Sequence, residues 1–223
     1  AGLIPALTIT KGQSLSASGS ASLDIGQGSV VAVVTSLTLD MATADVVTGN
    51  AAITGLGATA GTIEDATVLA LTISGASVFV GTGAQLNGDR TGIHDEAGEG
   101  TLTSDAIGFS VSGAAFSLAT VSKGTTSFTG VELTVANAAL LGVDAVDLQV
   151  SGSLKLNRTS VAGGPRIDWT TATDATNDAA GLIPALTISK DQSLSASGSA
   201  SLDIGQGSVV AVVTSLTLDM ATA

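Results

Sequence analysis

Four acidic side chains, Asp89, Asp95, Glu96 and Glu99, crowd the glycine-rich stretch 87–100, "NGDRTGIHDEAGEG". Carboxylate oxygens are the ligands a hard cation takes, so these four are candidate Ca²⁺ ligands. Their spacing matches neither an EF-hand loop nor the nonapeptide of calcium-binding β-rolls, and a solvated protruding loop is the competing reading. A second polar group, Asp168, Asp174, Asn177 and Asp178, is a weaker candidate for a cation or for a plain polar linker. His94 is the only histidine, and no Cys or second His stands ready to complete a metal site or a nucleophilic pair. No Gly-x-Ser-x-Gly elbow precedes a helical pattern. The carboxylate pairs Glu64-Asp65 and Asp95-Glu96 are sequence neighbours, which by itself provides no glycosidase geometry. The residues therefore point to no catalytic group and no organic cofactor, with Ca²⁺ as the one ion to test.

Period-two alternation surrounds these stretches and reads as β-strand along most of the chain. Leu71-Thr72-Ile73-Ser74, Phe109-Ser110-Val111-Ser112 and Leu148-Gln149-Val150-Ser151 each place aliphatic residues on one face and polar residues on the other. Gly19, Gly75, Gly113, Asn137 and Gly152 interrupt such runs and read as hinges between two short strands. A strand, a corner and a strand, repeated, describe one rung of a β-solenoid; about nine such rungs would make a module on the order of 40 Å long. The stack expected to point inward is Leu23, Ile25, Leu37, Leu39, Leu71, Ile73, Val78, Val80, Phe109, Val111, Val135, Leu148 and Val150. Residues 87–100, 158–165 and 169–180 depart from the pattern and read as excursions. Trp169, the only tryptophan, is expected to pack a rung or a junction. Pro5 and Pro184 suit a strand start, because proline cannot donate to a ladder. Asn157-Arg158-Thr159 is a glycosylation sequon by pattern only.

Composition narrows the class further. Aromatic residues are 2% and Gly numbers 28, so the aliphatic core must be narrow. The net charge of −12, with 7 Lys plus Arg, opposes nucleic-acid binding and does not suit a lyase that grips polyanionic glycans. Cysteine is absent, so no disulfide braces the fold.

Repetition sets the organisation. Residues 180–223 rewrite residues 1–44; only Thr10 (Ser189) and Gly12 (Asp191) differ. One complete module, residues 1–179, is thus followed by the first part of the next, residues 180–223, as in a window cut from a longer array.

These near-identical modules, with runs such as "LTISGASVFVG" and "LTVANAALLGVDAVDLQVSGSLKLN", resemble giant tandem-repeat bacterial cell-surface and extracellular proteins of adhesin-like or filament-forming type. The resemblance implies an extended, acidic β-solenoid rod at the cell surface or beyond it. Its partners would be neighbouring modules of the same chain or identical chains, with no nucleic acid and no membrane insertion in this segment. It carries no catalytic residues across. The expectations are an all-β chain forming a β-solenoid, with tandem β-sandwich domains as the alternative, and a structural role in a fibre. An adhesin module binding surface glycans is the second functional reading, and a β-helix polysaccharide lyase or hydrolase the third.

Overall fold

The structure is a computed structural model, which describes residues 13–95, 102, 105–174, 176–178 and 181–221. It is all-β. Eight strands form one antiparallel sheet: β1 (Gln13–Ile25), β2 (Val30–Val47), β3 (Thr62–Thr82), β6 (Ile107–Lys123), β7 (Thr126–Leu141), β8 (Val146–Thr159), β9 (Gln192–Ile204) and β10 (Val209–Ala221), in that spatial order. A small hairpin, β4 (Ala84–Leu86) and β5 (Ile93–Asp95), leaves the sheet between β3 and β6. One helical turn, α1 (Trp169–Ala172), lies in the connection from β8 to β9. Among the described residues there is neither a closed barrel nor a stack of solenoid rungs; the repeating unit is a long strand of an antiparallel meander.

The hinges expected between short strands are bulges inside long ones. Gly75 and Gly113 sit at φ +62 and +63, where a side chain is strained, and the run continues on either side of each. Their effect is a parity change. In β3 the aliphatic positions are Leu69, Leu71 and Ile73 before the bulge, then Ala76, Val78 and Val80 after it. In β6 they pass from Phe109 and Val111 to Ala114, Phe116 and Leu118. Register shifts fall beside Gly19 and across Val135/Ala138, which brackets Asn137. Gly152 behaves differently, pairing with Gly198 in unbroken register.

Because the parity changes are matched between neighbours, apolar residues line up across all eight strands. One row runs Gly19–Leu37–Ile73–Phe116–Leu133–Leu154–Ala196–Leu218. The rows led by Ala17, Ala21, Leu23 and Ile25 are likewise free of polar side chains from β1 to β10. Phe109, Val111 and Val150 share one trough with Leu133, Leu154 and Leu218, so rows from both sides of the bulges lie on a single face. The opposite face carries Ser, Thr and the strand carboxylates, among them the row Thr72–Ser117–Glu132–Lys155.

The expected inward stack needs correction. Its residues do share one face, but none of them is fully buried. Leu23, Ile25 and Val80 are about half exposed, and Phe109 and Val150 are exposed as well. The buried core lies instead on the polar-row face, under the two excursions. At one end, the connection after β8 drops Ile167, Trp169, Ala172, Ile183, Leu186 and Ile188 onto Val68, Ala119, Val121 and Phe128. At the other, the β4–β5 hairpin brings Ala84 with Leu86 and Ile93 against Val31 and Phe79. Sequence alternation identified the apolar face correctly; the covering layer was built only on the other one.

Candidate functional site: the seam between module copies

The boundary between the two module copies falls in the connection from β8 to β9, and the fold does not stop there. Strand β9 belongs to the second copy and pairs with β8 of the first from Val146↔Ile204 to Leu156↔Leu194 without a register shift. Ser151-Gly152-Ser153 lies opposite Ser197-Gly198-Ser199. The hydroxyl pairs Ser151–Ser199 and Ser153–Ser197 are each 2.8 Å apart. The facing glycines are a requirement of this close approach: a Cβ at Gly198 would lie 2.7 Å from the Ser151 carbonyl oxygen, and one at Gly152 would lie 2.9 Å from that of Ser197.

The connection is fastened to the sheet by polar groups that the strands aim at it. Asn157, on β8, is buried among apolar side chains and uses both ends of its amide. Its Nδ2 donates to the carbonyls of Ile167 at 2.9 Å and Ser189 at 3.0 Å, and its Oδ1 accepts from Trp169 Nε1 at 3.0 Å. The indole rests on β7 at Gly130, where a Cβ would come within 2.6 Å of the ring. Two residues further along the strands, Glu132 and Lys155 form an ion pair at 3.6 Å and grip Thr187. The Thr187 amide and hydroxyl donate to the Glu132 carboxylate at 2.9 and 2.8 Å, and Lys155 Nζ donates to the Thr187 carbonyl at 3.1 Å. Trp169 therefore packs the junction, as its position beside the repeat boundary suggested. The sequon asparagine, Asn157, is a buried fastener of that junction.

Residues of the second copy complete the core of the first. Ile183, Leu186 and Ile188, which open the repeated block, are buried against β3, β6 and β7. Pro184, expected at a strand start, lies between two of these core residues in non-strand backbone that crosses the sheet face. The unit that folds is thus displaced from the unit that repeats.

No family model matches the chain, and no curated protein or solved structure matches it. The seam stands on its own geometry.

The acidic candidates lie apart from this seam. Asp89 sits in the turn joining β4 to β5, exposed, where the Thr91 hydroxyl and amide donate to its carboxylate at 2.6 and 3.1 Å and hold it below the ordinary pKa of 3.8. Asp95 is buried at the end of β5, opposite Ala84. Glu96 and Glu99 lie outside the described residues. His94 Nε2 lies 3.1 Å from the Leu86 carbonyl, within the hairpin. In the second group, Asp174 accepts the Thr176 amide at 2.8 Å and is held below its ordinary pKa. Asp178 accepts the amides of Leu182 and Ile183 at 3.1 and 2.6 Å. Asp89, Asp174 and Asp178 are thus engaged by amides and a hydroxyl of their own loops. Among the described residues, no three His, Cys, Asp or Glu side chains converge as a metal site. No helix among them is long and apolar enough to cross a membrane.

Sequence reading missed the functional weight of Asn157, Glu132 and Lys155. A faint signal was there, because a carboxylate–lysine pair interrupts the row begun by Thr72 and Ser117, and Asn157 is a lone amide in the row Ala70–Ala119–Gly130. Their meaning depended on which segment would cross above them.

Proposed function

We propose that this chain is a structural repeat of an extracellular or cell-surface fibre, in which module follows module by continuing one β-sheet into a long acidic rod. The single observation that carries the reading is the seam. A strand of the second copy extends the sheet of the first by backbone pairing, and the residues ahead of it complete the first copy's core. A joint of this kind turns an exposed strand edge, which would otherwise invite aggregation, into the connection between modules. Each module contributes six strands to the sheet before β9 repeats β1. The solenoid form of the rod then becomes a matter of how the twisted sheet coils over many modules. The negative charge suits a soluble polymer whose surfaces repel one another. The location outside the cell rests on the resemblance to giant surface proteins.

Electron microscopy of recombinant chains carrying two, three and four modules tests this. A continuous rod lengthening by on the order of 29 Å per module, six strands at about 4.8 Å each, is the expected result. Globular beads joined by flexible spacers would sink the continuous sheet and redirect attention to ligand sites on each bead.

A further inference from the structure

Among the described residues, no layer covers the face of the sheet that carries the apolar rows. Both excursions pack on the opposite face. Five rows across eight strands cover roughly 38 Å by 34 Å, on the order of 1,300 Å². Soluble monomers rarely leave a contiguous apolar patch of that size. Over strands β6 to β10 a trough of about 580 Å³ is lined by Leu133, Val135, Val150 and Leu154 and floored by the glycines of the seam.

We propose that this face is the interface between two copies of the chain, packed sheet on sheet through their aliphatic rows. Three observations select a second copy as the occupant. The area exceeds the roughly 800 Å² per partner that a stable complex needs. Charge is segregated: no charged side chain interrupts the five rows, while Asp40, Glu132, Lys155 and Asp147 alternate onto the other face. Two chains of net charge −12 can therefore meet through this face with their strand carboxylates turned outward. Finally, the rows combine Leu, Val and Ile with Ala and Gly, giving ridges and a trough on the same surface. A surface with both can meet its own copy in the isologous manner of a two-fold dimer, at the usual sheet-to-sheet spacing of about 10 Å.

The inference concerns lateral pairing and does not depend on axial continuation through the seam. Sedimentation equilibrium of the full chain is expected to give twice the 21.5 kDa of one copy. The double variant Phe116→Lys/Leu133→Lys, at half-buried positions of the central rows, is expected to sediment as a monomer with unchanged far-ultraviolet circular dichroism. A monomeric wild type at about 100 μM, or a double variant that remains dimeric, would overturn the proposal. Since the chain has no Cys, Thr134→Cys on the opposite face can carry a lone spin label. Face-packed copies should place two labels about 20–30 Å apart. Copies joined edge to edge would hold them about 34 Å apart or more, seven strand spacings when β10 meets β10, and that result would overturn face packing even if dimers form. Rod length in electron microscopy reads the axial proposal separately.

Discussion

The hairpin β1–β2 and the hairpin β9–β10 are the same sequence in two settings. Residues 13–44 and 192–223 are identical, and each first strand pairs with its second through the same residues from Ile25↔Val30 and Ile204↔Val209 onward. Their burial differs by which neighbour each has. β9 is flanked by β8, so Leu194 and Leu202 are half-buried, while the equivalent Leu15 and Leu23 on the β1 edge are 44% and 50% exposed. β2 is flanked by β3 and lies under the β4–β5 hairpin, so Val31 and Val33 are 0% and 3% exposed. Their twins Val210 and Val212 on β10 are 61% and 62% exposed. The hairpin closes from its own residues, and its contribution to the core comes entirely from what lies beside it.

The largest effect should come from placing a charge at the twin positions. Val31→Asp buries an unpaired carboxylate in a dry cluster and is expected to cost several kcal/mol, on the order of 3–5. Val210→Asp, at an exposed edge, should change stability by less than about 0.5 kcal/mol. Urea unfolding of both variants measures the contrast, and equal losses would mean that the two hairpins share one environment.

An intermediate effect should separate the copies by loosening only one of them. Asn157→Ala strands the Trp169 indole N–H and two backbone carbonyls in the core, which is expected to cost about 2–4 kcal/mol. Hydrogen exchange should accelerate first in residues 182–204, which the amide fastens, and later in β1–β2. Uniform acceleration across the sheet would show that the connection and the sheet unfold as one unit.

The smallest effect concerns the excursions. Asp89 and Asp174 are held below their ordinary pKa by hydrogen bonds to the ionised form, so their support for the two turns is complete above pH 3.8. It is lost as pH falls through the lower, folded-state values. Amide protons of Thr91 and Thr176 followed by NMR during acidification should shift and exchange faster in that window, with strand amides of both hairpins unaffected. Retained protection of Thr91 and Thr176 after the carboxylates are protonated would contradict this role.

Much of the fold was legible in residue order. Alternation placed the strands of the large sheet: residues 131–146, a stretch that also fits a helix, read as strand, and they are strand as far as Leu141, then a turn at 142–145 before β8; the short strand β5 inside residues 87–100 was not legible. On either side of a bulge the aliphatic rows follow from the side-chain period of two, which collects Leu71, Phe116 and Leu154 on one side, whereas the bulges themselves bring the two sets of rows onto a single face. The exchange of solenoid rungs for an antiparallel meander was not legible. A glycine that permits a corner also permits a bulge, and the local sequence around Gly75 or Gly113 fits both. The core was misplaced for a related reason: apolar alternation says which face is greasy, and a covering segment says which face is dry. The segment that supplies Ile167 and Trp169 has no periodicity to reveal where it returns.

By itself, then, the sequence determined the strand content, the apolar face, the acidic balance and the repetition of the hairpin. These depend on side-chain type and on contacts between residues close in the chain. Tertiary structure alone decided that the second copy completes the first, through Ile183, Leu186 and Ile188 in its core and Thr187 held by Glu132 and Lys155. It also decided that two identical hairpins have different burial. The physical reason is that burial belongs to the neighbour as much as to the residue, and neighbours distant in the chain are assigned only when the sheet assembles.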